Sequence, residues 1–152
     1  MSSAKWFVHG LAALILAMAA VACTSARPGT PEGDLDAIRA GWEASRPLVD
    51  ADSVQIVDDR IGLCVNDVGP QKVSAGFSAL FRTAALGPNV DAKEFAVRWE
   101  SALESATGAD LAVSTEQLES GPQFKAESNG LNFLLAPDGE GGYSFGGGGP
   151  CR

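Results

Sequence analysis

Gln123–Phe145 reads QFKAESNGLNFLLAPDGEGGYSF. Gln123–Ser128 and Leu131–Ala136 flank Asn129-Gly130, a dipeptide whose residues tolerate the positive φ of a two-residue hairpin turn. Pro137-Asp138-Gly139 supplies a second turn. Tyr143–Phe145 then forms a last short strand before a glycine run at 146–149 and Cys151. This pattern is a β-meander, so the last part of the chain belongs to an antiparallel sheet.

Immediately upstream lies a well-marked helix. Asp91 is its N-cap, and Glu94 three residues on completes a capping box. Val90 and Phe95 occupy the two staple positions. Phe95, Trp99, Ala102, Leu103 and Ala106 share an apolar face, and Gly108 ends the helix. Further back, Val73, Ala75, Phe77, Ala79 and Phe81 alternate as in a strand. A helical reading of Val73, Phe77, Leu80, Phe81 and Ala84 competes, but strict alternation and the phenylalanines favour the strand. Val54–Val57 and Ile61–Val65 bracket Asp58-Asp59-Arg60, which reads as a hairpin. Leu35, Ile38 and Trp42 give Asp34–Ser45 a helical stripe. Asp34 and Asp36 suit the start of that helix and Pro47 its end. The order is helix, strands, helix, strands. It predicts an α+β fold over 34–152, with both helices on one face of a mostly antiparallel sheet.

The N-terminal segment has a different composition. Lys5 is the only charged side chain before Arg27, and Leu11–Ala22 is an unbroken apolar run of twelve, followed by Cys23. A membrane-spanning helix needs ~20 apolar residues. A basic start, a short apolar stretch and small exit residues describe a secretory signal instead. Ala20-Val21-Ala22-Cys23 resembles the lipobox of bacterial lipoproteins, with alanine at 20 where leucine is commoner. The resemblance implies a signal peptide over 1–22, cleavage before Cys23, and diacylglycerol and a further acyl chain such as palmitate on Cys23. An ordinary cleaved signal and an uncleaved anchor are the alternatives. Thr24–Gly33, rich in Pro and Gly, then completes a lipidated flexible tether over 23–33.

Lipidation of Cys23 leaves two of the three cysteines, and exported proteins tend to pair their thiols. Cys64 and Cys151 are therefore expected to form one disulfide. A late cysteine, here in Gly149-Pro150-Cys151-Arg152, and a partner far upstream are similar to small lipoproteins of actinobacterial cell envelopes.

Composition narrows the chemistry. From Cys23 onward the chain keeps all 19 acidic and 10 of its 11 basic side chains, a balance of −9. Nucleic acid is an unsuitable partner, because Lys and Arg provide that affinity. The single histidine, His9, lies in the signal segment. No Ser-His-Asp or Cys-His arrangement is available to the processed chain, nor a histidine-bearing zinc site. No catalytic, cofactor or metal residue is assigned. Asp50, Asp52, Asp58 and Asp59 are clustered in sequence but lack EF-hand spacing, and read as a solvated acidic turn. Asp138 and Glu140 read as a hairpin tip. Gly146–Gly149 lacks the Lys and Ser or Thr of a phosphate loop and reads as a flexible tail. Phe77, Phe81, Phe124, Phe133, Tyr143 and Phe145 read as core, or in part as the lining of an apolar groove. The expected protein is a membrane-anchored extracytoplasmic lipoprotein with a non-catalytic ectodomain that binds or scaffolds an unknown envelope partner or ligand. A lipid or small-ligand carrier and a carboxylate-based enzyme are the rival readings.

Overall fold

The structure is a computed structural model and describes residues 29–64, 69–87, 89–128 and 130–152. The expected signal segment over 1–22, Cys23 and Asn129 lie outside these. Two helices and six strands follow in the order α1 (Pro31–Val49), β1 (Asp52–Leu63), β2 (Val73–Arg82), α2 (Ala92–Thr107), β3 (Ala112–Leu118), β4 (Gly121–Glu127), β5 (Asn132–Pro137) and β6 (Tyr143–Gly148). The strands form one sheet in the order β1-β2-β6-β5-β4-β3, with every neighbouring pair antiparallel. Both helices pack on one face of it, α1 on β2 and β6, α2 on β3 and β4. The α+β expectation therefore holds.

Local signals placed α2 well. Asp91 accepts from the backbone N–H groups of Lys93 and Glu94, and Gly108 closes the helix at φ 68°. Phe95, Trp99 and Leu103 are buried, Ala102 is half-buried, and Ala106, expected on the same face, is exposed. The strand reading of Val73–Phe81 is also correct, since Ala75, Phe77, Ala79 and Phe81 are buried and the residues between them are not.

Four expectations need correction. Helix α1 starts earlier, at Pro31 behind an N-cap at Thr30, so Pro31–Gly33 are helical and not tether. It also runs past Pro47 to Val49. Proline deprives a helix of one N–H bond, but one more turn buries Val49 completely, and Asp50 in the left-handed region caps the end. Asp58-Asp59-Arg60 is not a turn. β1 runs straight through it, paired with β2 on both sides, and the ladder absorbs one extra residue between Ile56 and Asp58. That is a β-bulge, which bends a strand without reversing it. The glycine tail is no tail: Gly146–Gly148 complete β6, which lies between β2 and β5. Finally, β3 was not foreseen, because Ser114, Thr115, Glu116 and Gln117 are all exposed on an edge strand.

The core lies between helices and sheet. Trp99, Phe124, Phe133 and Phe145 are fully buried. Trp42 lies 5.1 Å from Phe145 between ring centroids, and Phe133 6.1 Å from the same ring. One polar chain crosses this layer. Trp99 Nε1 donates to Ser45 Oγ at 2.9 Å, and Ser45 Oγ donates to the Gly41 carbonyl at 2.7 Å.

Candidate functional site

Cys64 and Cys151 are bonded, with Cα atoms 6.1 Å apart. Cys64 follows β1 and Cys151 follows β6, so the bond ties the β1–β2 connection to the C-terminus. The last residues also continue the ladder beside β2. Gly149 N–H donates to the Ala75 carbonyl, and Val73 and Arg152 exchange backbone bonds in both directions. The Arg152 side chain reaches Asp34 in the first turn of α1, with Nε 2.8 Å from Oδ2. Its guanidinium is held more basic than usual, chiefly by the hydrogen bond to Asp34. The start of α1, the start of β2 and the C-terminus thus gather at one end of the sheet.

The acidic cluster is dispersed. Asp50 caps α1, and Asp52 accepts from the Ser53 N–H. Asp58 pairs with Arg60 at 2.9 Å, while Asp59 pairs with Arg39 at 2.8 Å on the helix side of the sheet. Among the described residues no group of three or more His, Cys, Asp or Glu could hold a metal ion. Asp138 is a turn former. Its carboxylate accepts from the N–H groups of Glu140 and Gly142, and these bonds lower its pKa.

A groove of about 470 Å³ runs between α1 and the edge strand β1. Trp42, Val54, Ile56 and Phe77 supply its apolar part, and Arg39, Glu43, Arg46 and Asp59 its charges. The bulge explains the composition. Val54 and Ile56 face α1 by simple alternation, and the extra residue then turns Asp59 to the same side, opposite Phe77. The charges are matched within the chain. Arg39 holds Asp59 at 2.8 Å and Arg46 lies 3.4 Å from Glu43. Arg39 is kept firmly protonated, chiefly by its bond to Asp59. Arg46 also stands over the Trp42 ring, 6.0 Å from its centroid, within cation–π range. The groove offers an apolar slot beside two guanidinium groups.

The sequence offers Phe77 among the rings that could line an apolar groove, and Phe77 does so here, but it does not place the groove between α1 and β1. Trp42, on the apolar stripe of α1, is 2% exposed. The available signal was Val54 and Ile56 two residues apart, and its weight depended on the bulge that follows. Phe77, Phe81, Phe124, Phe133, Tyr143 and Phe145 are all buried, and of these Phe77 also borders the groove. No helix among the described residues is long and apolar enough to cross a membrane. The sequence matches no protein-family model and no characterised protein at a significant level.

Proposed function

We propose that the protein is a lipoprotein anchored through Cys23 on the outer side of a membrane, with an ectodomain that binds a partner or ligand and does not catalyse. The anchor rests on Leu11–Ala22 and Ala22-Cys23. The binding reading rests on the α1–β1 groove. An apolar slot with Ile56 48% exposed leaves surface that a ligand would cover. Its two carboxylates, Glu43 and Asp59, are each matched to an arginine of the same chain. A carrier would need an empty chamber between helices and sheet, and aromatic rings fill that layer. The groove therefore favours a surface binder over a carrier.

Anilinonaphthalene sulfonate, an aromatic anion, suits an apolar slot beside arginines and serves as the probe. It should bind the full chain with enhanced fluorescence, and Ile56→Glu should weaken binding at least tenfold. Equal binding by the variant, or none by the parent, refutes the groove as the site.

A further inference from the structure

The sheet face opposite the helices carries a charge pattern that is antisymmetric about β6. Following the register across the sheet, one row reads Asp58, Ser78, Gly146, Leu134, Lys125. The next reads Arg60, Gly76, Gly148, Asn132, Glu127. The row on the other side reads Leu80, Ser144, Ala136. So β1 presents acid then base, while β4 presents base then acid at the same two heights. Each pair is joined within its own strand, Arg60 to Asp58 at 2.9 Å and Lys125 to Glu127 at 2.8 Å. All four side chains are at least 40% exposed. Leu80 and Leu134 are also exposed, at 38% and 39%.

We infer that this face docks on the same face of a second copy, about a two-fold axis running along β6. That rotation lays β1 over the partner's β4. Asp58 then meets Lys125, and Arg60 meets Glu127, twice in each dimer. It also lays β2 over the partner's β5, so Leu134 meets Ser78, large on small. Gly146 lies on the axis. A Cβ there would meet nothing within 4 Å, so its own chain leaves room for a side chain that reaches the symmetry mate.

A two-fold axis across the strands also opposes the charges. It stacks Leu134 on Asn132, however, and sends the two α1 starts to opposite ends. The axis along β6 keeps both copies of the α1 start at one end of the dimer. That fits two chains anchored in one membrane, a point that rests on the proposed anchor.

Strand spacing and rise give the five-strand face about 500 Å² per copy. The total, about 1,000 Å², is at the lower limit for a specific interface. The dimer should therefore be weak, with a micromolar dissociation constant.

Four variants test this, each in the full chain with native Cys23 and with Cys23→Ala, so that losing the anchor and losing the dimer are separate readouts. Sedimentation velocity of the detergent-solubilised parent should show a reversible dimer. Lys125→Asp should weaken it at least tenfold. The double variant Asp58→Lys, Lys125→Asp exchanges the charges and should restore it, which the axis across the strands does not allow. Gly146→Cys should form a disulfide-linked dimer under mild oxidation, whereas Ser114→Cys on the outlying strand should not. Circular dichroism checks that each variant is folded. A monomer at 100-fold the micromolar range, or a dimer indifferent to Lys125→Asp that does not link through position 146, overturns the proposal.

Discussion

Ile38 of α1 rests on the bare backbone of Gly147 in the central strand. A Cβ at 147 would overlap Ile38 Cγ2. On the helix itself, a Cβ at Gly41 would lie 2.7 Å from Phe133 Cε1. Two glycines, one per layer, therefore set how closely α1 sits on the sheet. Ile38 and Phe133 are both fully buried as a result.

Gly147→Ala should cost about 1–3 kcal/mol by overpacking. Urea unfolding measures this. Trimming Ile38 to alanine opens the space the new methyl needs. The double variant Gly147→Ala, Ile38→Ala should thus be more stable than the sum of the single losses predicts, because the two sites touch. Strict additivity would show that the helix is not seated on Gly147.

The glycine contacts also explain which parts of the fold could be read from sequence. Helix α2 was legible because its signals are local: Asp91, Glu94 and Gly108 act within a turn of the backbone they cap. The alternation in Val73–Phe81 was legible because one face is buried along the whole run. The glycine run was misread because four small residues carry no local preference. Its strand state comes from β2 on one side and β5 on the other. Asp58-Asp59-Arg60 failed similarly, since a bulge and a turn use similar residues and only pairing with β2 separates them. Phe77 was offered as a groove residue, but the place of the groove depended on that bulge and was hidden with it. The disulfide was legible from cysteine parity, with no help from spacing.

Ser45→Ala should destabilise the protein by about 1–3 kcal/mol, the cost of an unsatisfied buried donor. The lost hydroxyl is fully buried and accepts from Trp99 Nε1. Ser45→Thr keeps a hydroxyl and separates this loss from packing changes. Chemical denaturation provides the stability, and the Trp99 indole N–H proton shift reports the bond.

Reducing the disulfide, or replacing Cys64 and Cys151 by alanine, should lower stability substantially. The bond spans a sequence separation of 87. Loop-closure entropy for a span of that size is roughly 4–5 kcal/mol. Unfolding midpoints with and without reductant check this. An unchanged midpoint would mean that the β6 ladder alone holds the C-terminus.

Asp138 makes the β5–β6 turn pH-sensitive. Its pKa is lowered by the bonds from Glu140 and Gly142 N–H. Because the folded value lies below the unfolded one, its stabilising contribution is complete above the unfolded carboxyl pKa. It is lost as pH falls through the folded value. Asp138→Asn keeps an acceptor oxygen and removes the titration, so the variant's stability should fall less steeply in acid. Carboxyl carbon NMR titration of Asp138 should show a midpoint below that of an unperturbed aspartate.

Intact-mass analysis of the full chain, expressed in a bacterial host and extracted from membranes, tests the anchored reading most directly. The account predicts a product that begins at Cys23 and carries diacylglycerol on its sulfur, and a Cys23→Ala protein without lipid. A mature N-terminus at any other residue, or an unmodified Cys23 thiol, would contradict it.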